Sequence, residues 1–156
     1  MSVTLEEARA LVLEHTPVLQ EERVPLAEAV GRRLTREIRS TLFQPPFDRS
    51  PLDGYAVIAA DVAEAAPDHP VRLRVVDKLY AGMPSETGIS RGQAVRLMTG
   101  CMIPKGADTV IRQESTDLGE DTVHIFQPSS AGQNICRRGE EYVPGELLLA
   151  SGGRVD

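Results

Sequence analysis

Short strand-like stretches separated by turn residues run through most of this chain, and they restrict it to a mainly β fold. Residues 71–75 alternate apolar side chains with arginines, a pattern typical of a half-buried strand. Further strand-like runs lie at 55–58, 94–98, 109–112 and 122–126. Gly-, Pro- and Asp-containing turns separate these runs. We therefore expect a mainly β (α+β) protein with a β-rich, barrel-like lobe.

One amphipathic helix is predicted at the N-terminus. Thr4 and Glu7 form a capping-box pattern, and Pro17 marks the end of the helix. Its apolar face comprises Leu5, Ala8, Leu11, Val12 and His15. A short helical turn is expected at 25–30, with Gly31 following it.

Composition limits the classes of function. The net charge of −6 argues against a general nucleic-acid-binding surface. No apolar run is long enough to span a bilayer, and the first ten residues lack the apolar core of a signal peptide. Cys101 and Cys136 lack the spacing of a zinc or redox site. We expect two reduced, buried thiols in a cytoplasmic protein without nucleic-acid or membrane partners.

The first candidate for chemistry is Asp53, which follows a proline-rich loop and precedes a strand. Pro45, Pro46 and Pro51 fix the backbone of this loop. Asp53 and Gly54 form a turn dipeptide, in which Gly would supply a positive φ. A carboxylate on such a rigid corner loses little entropy when it meets a cation or a proton. The alternative is that Asp53 only closes a turn.

Two further motifs are candidates for anion binding. Thr99 and Gly100 end a predicted strand, where backbone N–H groups and the Thr hydroxyl can approach a ligand oxyanion. Arg137 and Arg138 can bind a phosphate through the guanidinium fork, and the two glutamates that follow them can neutralise the pair or hold a hard cation. The alternatives are an ordinary strand end and a surface salt-bridge cluster.

The order of the three motifs along the chain is more specific than any one of them. Phe-Asp-Arg-Ser-Pro-Leu-Asp-Gly-Tyr-Ala-Val at 47–57, the Thr-Gly segment within 96–110, and Asn-Ile-Cys-Arg-Arg-Gly-Glu-Glu at 134–141 follow one another. Together they resemble the N-terminal part of the MoeA family, the molybdopterin molybdenumtransferases, which includes the E domain of gephyrin.

The resemblance implies an activity and a set of site residues. Family members insert molybdenum from molybdate into adenylylated molybdopterin, release AMP and use Mg²⁺. Asp53 takes the place of the essential acid and Thr99 lines the same cleft, whereas the metal ligands are not assigned. The ligand-binding positions correspond to Ser50, Gly100, Arg137 and Glu141. The family has Asp where this chain has Glu141, and Ala where it has Cys101.

The resemblance also implies how the chain is divided. We expect the N-terminal helix at 1–20, a small mixed lobe from 21–39 and 146–156, and the β-rich lobe at 40–145. Family chains continue into a pterin-binding domain, and in their dimers the cleft lies between the β domain of one subunit and the pterin-binding domain of the other. These residues therefore supply one wall of the cleft, and we expect them to be inactive alone.

The partner expected from this architecture is a second subunit, so a homodimer is predicted, with the apolar face of the N-terminal helix uncovered in the isolated chain. Two other classes of function stay open. One is a non-catalytic scaffold of the same architecture, as in the gephyrin relatives. The other is a standalone anion-binding β domain that uses Arg137 and Arg138.

Overall fold

The computed structural model describes residues 3–84 and 86–156. The chain divides into two compact units. The smaller unit contains the residues up to Ile38 together with Leu147–Asp156, and the larger contains Arg39–Glu146. In the described residues strands dominate, accompanied by one α-helix, which confirms the expected mainly β fold. The assignment of four domain segments stays a prediction. Of the helices that the structure describes, none combines the length and apolarity needed to cross a bilayer.

The N-terminal helix, α1 (Leu5–Glu14), begins and ends where the sequence predicts. The Thr4 hydroxyl accepts the Glu7 N–H, and the Glu7 carboxylate accepts the Thr4 N–H at 2.9 Å, which completes the capping box. None of the helix residues is buried, and Leu5 is 80% exposed. The apolar face of α1 is therefore uncovered in this chain, as expected.

The rest of the smaller unit is held by backbone hydrogen bonds between its two chain segments. A 3₁₀ turn at Leu26–Glu28 is followed by Gly31, whose φ is +83°. The Gly31 N–H donates to Val155 O at 2.7 Å, which ties the first segment to the C-terminal one. Strands β1 (Ile38–Arg39) and β7 (Leu147–Leu149) form a two-stranded sheet.

The larger unit contains a five-stranded sheet in the order β5-β2-β4-β3-β6. Its strands are β2 (Gly54–Val57), β3 (Val71–Leu79), β4 (Gln93–Leu97), β5 (Thr109–Arg112) and β6 (Thr122–Ile125). β3 and β4 are parallel, and the other neighbours are antiparallel. The predicted strands are confirmed, although β3 continues four residues beyond the expected end at 75.

Two hydrophobic clusters form the core of this unit. One includes Tyr55 and Leu73, and the other includes Val95. The Tyr55 hydroxyl, on a fully buried side chain, donates to Gly119 O at 2.9 Å and so satisfies its polar group. Val62 and Ala65 are buried in the first cluster. The segment 59–70, which contains no strand, therefore contributes to the core.

A β-bulge in β3 changes which side chains face each cluster. The register with β4 shifts between Val75 and Asp77. Leu73 packs in the first cluster, but Leu79 packs in the second, although strict alternation would keep them on one face. The bulge therefore reverses the side-chain alternation, and it places Lys78 opposite Arg96 of β4.

Gly54 begins β2 and is required for a different reason from the one that the sequence predicted. It is not among the glycines with a positive φ, so the expected Asp53-Gly54 turn is wrong. A Cβ added at Gly54 would lie 2.0 Å from Ile111 O of the neighbouring strand β5. Glycine is therefore needed here because the two backbones approach closely.

We expect Gly54→Ala to lower the free energy of unfolding by about 3 kcal/mol or more, because a backbone oxygen cannot move away from the added methyl group. Urea denaturation measures this loss. The control is Gly82→Ala, where φ is +85° and a Cβ meets no atom within 4 Å; it should cost only about 1–2 kcal/mol. Equal losses in the two variants would contradict a steric requirement at Gly54.

Candidate functional site

Asp53 and Thr99 lie together and are open to solvent. The Thr99 N–H and the Thr99 hydroxyl each donate to Asp53 Oδ1 at 2.7 Å. Within residues 3–84 and 86–156, Asp53 Oδ2 has no hydrogen-bond partner. Asp53 is half-buried and Thr99 is exposed. The arrangement therefore holds the carboxylate in place by one oxygen and presents the other to a ligand.

The backbone on either side of this pair fixes its position. Asp53 directly precedes β2, and its carbonyl accepts the Gln113 N–H at 3.1 Å. Thr99 follows β4, the other neighbour of β2 in the sheet. The pair is thus built where two adjacent strands start and end, and it does not depend on a flexible loop.

Asp53 is held in its ionised form. The hydrogen bonds from the Thr99 N–H and hydroxyl hold the pKa of the Asp53 carboxyl below its ordinary value of 3.8. Burial opposes them, and the charge of Arg96 adds the smallest of the effects that lower this pKa. At neutral pH the free Oδ2 is therefore an anionic acceptor. It is suited to a cation or a donating hydroxyl, and it is not suited to act as a general acid.

The backbone N–H groups that follow Thr99 are hydrogen-bonded within the protein. The Gly100 N–H donates to Ser50 O at 2.8 Å, and the Cys101 N–H donates to Met98 O at 3.1 Å. These N–H groups already have acceptors within the protein and are not free for a ligand oxyanion in this structure. Gly100 is instead required by its φ of +86°. Its assignment as a ligand-binding residue stays a prediction that no longer depends on its N–H group.

Ser50 supports the loop from inside. Its side chain is fully buried, and its hydroxyl donates to Leu52 O at 2.6 Å. The expected ligand-binding residue is thus placed below the surface, where it stabilises the turn that leads into Asp53. This burial is not predictable from the residue type, because serine is more often found on the surface.

The predicted arginine pair is engaged by neighbouring residues. Arg137 Nη1 lies 2.7 Å from Asp48 Oδ2, and the Arg138 N–H donates to Asp48 Oδ1 at 2.8 Å. The Arg138 guanidinium lies 3.8 Å from the centroid of the Phe43 ring. The pKa of Asp48 is lowered by the Arg138 N–H first and then by Arg137, against the effect of burial. The structure therefore favours the salt-bridge interpretation of this segment.

Glu141 is held by a residue that the sequence analysis did not single out. Arg49 Nη2 lies 3.3 Å from Glu141 Oε1, and the backbones of Arg49 and Cys136 exchange hydrogen bonds of 2.9 Å. The Glu141 carboxylate remains about half exposed. The loop before Asp53 is thus joined to segment 136–141 by backbone pairing and by two ion pairs, a set of contacts that we call the loop clasp. Of the two thiols expected to be buried, Cys101 is buried and Cys136 is half-buried.

A resident Mg²⁺ would find few ligands in this chain. Among the described residues, no group of three or more His, Cys, Asp and Glu side chains is arranged to hold a metal. Mg²⁺ is commonly bound through one or two carboxylates together with substrate phosphates and water. The free oxygen of Asp53 fits that mode, in which the substrate supplies the remaining anionic ligands.

We expect Thr99→Val to raise the pKa of Asp53 towards its ordinary value, because the variant loses the hydroxyl donor but keeps the N–H donor. The variant should also lose about 1 kcal/mol of unfolding free energy at neutral pH. Because the folded pKa of Asp53 is depressed, this contribution is full above the unfolded value of 3.8 and is lost as the pH falls through the folded value.

Titration of the Asp53 carboxyl carbon by NMR, with denaturation at several pH values, measures both effects. Thr99→Ser retains the hydroxyl and should behave like the parent chain. An unchanged Asp53 pKa in Thr99→Val would show that the hydroxyl contact is not made in solution.

Comparison with known proteins identifies the family to which the chain belongs. A family model described as the MoeA N-terminal region (domain I and II) matches residues 3–156. The molybdopterin molybdenumtransferase of Bacillus subtilis is 39% identical over 157 residues, which cover 98% of this chain and 36% of that protein. The protein of the same name from Haemophilus influenzae is 38% identical, with 98% and 37% covered.

A solved structure is also similar. The crystal structure of the molybdopterin biosynthesis moeA protein from Pyrococcus horikoshii OT3 superposes with a TM-score of 0.90 at 38% identity, over 97% of this chain and 40% of that one. This chain thus spans between one third and two fifths of the length of these relatives. The resemblance read from the three motifs is confirmed, and the chain belongs to the MoeA family, in which it corresponds to the N-terminal region.

Proposed function

We propose that this chain supplies one wall of a molybdenumtransferase active site, which inserts molybdenum from molybdate into adenylylated molybdopterin and releases AMP. The names of the relatives support a role in making the molybdenum cofactor. The observation that carries the proposal is the Asp53 carboxylate, which Thr99 holds by one oxygen while the other oxygen stays free. The proposed setting is the cytoplasm.

The chemistry asks the protein mainly for positioning and charge stabilisation. Both substrates are anionic, so a carboxylate at the site must act through a cation or a hydroxyl group. Asp53 is fixed at a strand boundary and stays ionised, so its free oxygen would be one ligand of Mg²⁺. Bound there, Mg²⁺ would neutralise the phosphate charge of the adenylylated substrate. Thr99 acts by fixing the orientation of the Asp53 carboxylate.

The other four residues assigned to ligand binding already have hydrogen-bond or ion-pair partners within the chain. Arg137 and Glu141 belong to the loop clasp and keep part of their surface exposed. We propose that they border the cleft and hold its shape, while Ser50 and Gly100 support the loop beneath Asp53. Glu141 is longer than the family Asp by one methylene group, and its carboxylate accepts a hydrogen bond from Arg49.

The second wall of the cleft would come from the pterin-binding domain of another subunit in a homodimer. The uncovered apolar face of α1 supports association with a further domain or subunit, because apolar patches of this kind are uncommon on free surfaces. The isolated chain should therefore give no turnover. Molybdenum insertion by the chain alone, at a rate comparable to that of a complete relative, would contradict this.

A chimera tests the site directly. This chain replaces the matching N-terminal residues of the Bacillus subtilis relative, and production of molybdenum cofactor is measured with molybdate and adenylylated molybdopterin. We expect Asp53→Asn to reduce the rate at least about 100-fold, since it removes the charge but keeps the shape of the side chain.

The matched control is Asp68→Asn, which removes an equal charge from an exposed position of the same unit. It should leave the rate unchanged. Undiminished cofactor production by the Asp53→Asn chimera would reduce Asp53 to a structural residue and would overturn the proposed site.

A further inference from the structure

A cleft of about 320 Å³ opens at the bulge of β3, and the mechanism above does not use it. Lys78 and Arg96 line it, together with the acidic residues Asp77, Glu120 and Asp121. We propose that Lys78 and Arg96 form a subsite for the pyrophosphate group of an anionic nucleotide substrate, next to Asp53. This inference rests on the proposed function, because it specifies which part of the substrate the chain binds.

The bulge is what brings the two cations together. Without it, alternation from Leu73 would put Lys78 on the face that carries the second hydrophobic cluster. With the extra residue, Lys78 lies directly opposite Arg96 in the parallel pair of β3 and β4. Bulges are frequent next to active sites, where they redirect a side chain. Like charges at directly opposed positions destabilise a sheet, so the placement calls for a compensating anion.

Within the chain, the positive charges of Lys78 and Arg96 are compensated only by a distant carboxylate, that of Glu120. Glu120 Oε1 lies 3.8 Å from Lys78 Nζ and 3.8 Å from Arg96 Nη1, beyond the range of a good hydrogen bond. The Glu120 side chain is 79% exposed, whereas that of Arg96 is only 18% exposed. An exposed carboxylate therefore faces a largely buried guanidinium group, and a ligand phosphate can take the place of that carboxylate. A guanidinium fork matches two phosphate oxygens, which a single carboxylate oxygen at this distance does not exploit.

The neighbouring acids limit how such a ligand binds. Asp77 Oδ1 accepts the Lys78 N–H at 2.7 Å, and Asp121 O accepts the Val75 N–H at 3.0 Å. The residues that line the cleft include three acids and two bases, so the cleft does not attract anions from a distance. Binding has to come from direct contact with Arg96 and Lys78, and it has to displace Glu120.

Arg96 connects the cleft to the candidate site. It lies opposite Tyr55 in the pairing of β2 and β4, with its guanidinium 5.9 Å from the Tyr55 ring centroid. Tyr55 is two residues after Asp53, and the charge of Arg96 acts on the Asp53 carboxyl. A pyrophosphate on Arg96 would therefore lie close to the free Asp53 oxygen, where a cation can bridge the two.

The test is a titration of the chain with sodium pyrophosphate, with AMP and with inorganic phosphate, followed by NMR of the backbone amides and the Arg Nε–H groups at low salt. We expect pyrophosphate to shift the signals of Lys78 and Arg96. Arg96→Gln and Lys78→Gln should each weaken its binding at least about tenfold. Glu120→Gln should tighten it at least about threefold, because it removes the competing charge.

The control is Arg74→Gln, which removes an exposed positive charge from the same strand outside the cleft lining and should leave the affinity unchanged. Lys78 is 41% exposed, so its variant tests the site even where Arg96→Gln disturbs packing.

Pyrophosphate affinity that is the same in Lys78→Gln as in the parent chain would overturn the proposal, as would absence of binding in both the parent chain and Glu120→Gln. Inorganic phosphate binding as tightly as pyrophosphate would overturn the assignment to a nucleotide pyrophosphate. These measurements need no cofactor production, so their failure is separate from failure of the Asp53 chimera.

Discussion

The close approach of β2 and β5 at Gly54 is the constraint on which the candidate site depends. Only a residue without a Cβ allows the Ile111 carbonyl to pack against the start of β2. This packing fixes the residue just before it, Asp53, at the start of the interior strand β2. Thr99, at the end of the opposite neighbour β4, can then reach the carboxylate with two donors. The geometry of the site is thus a property of sheet packing.

The loop clasp shows which forces hold the surrounding loops. Its two ion pairs are partly exposed, and such pairs contribute only about 0–1 kcal/mol each. The paired backbone groups of Arg49 and Cys136, with those of Gln44 and Tyr142, connect the same two segments and are insensitive to salt. We infer that the backbone pairing sets the position of the loops, whereas the charges select the side-chain arrangement on top of it.

Much of the fold could be predicted from the sequence, because its signals are local. The capping box at Thr4, the alternation in β3 and the strand β5 depend on residues close to one another. The joining of Asp53 with Thr99 could be anticipated only through the family resemblance, since 46 positions separate the two residues.

The errors have a common physical origin, namely contacts that distant segments supply. Gly54 is the clearest case, because the reason for glycine is an oxygen of another strand and not its own torsion angle. The contact of Arg138 with the Phe43 ring and the burial of Val62 and Ala65 likewise depend on residues that lie far away in sequence. The bulge between Val75 and Asp77 was also not predictable from the local sequence. A polar residue such as Lys78 does not indicate which face of the sheet it lies on.

The strand order has a consequence for how the polypeptide acquires this architecture. Among the strands that the structure describes in the five-stranded sheet, β3 and β4 are the only consecutive ones that are neighbours, and they are parallel, so a crossover joins them. When strands that are remote along the chain pair, the entropy of closing a large loop is lost before any stabilising contact forms. The larger unit should accordingly fold slowly for its size. Its Val- and Leu-rich segments stay exposed, and can aggregate, until the last strand has paired.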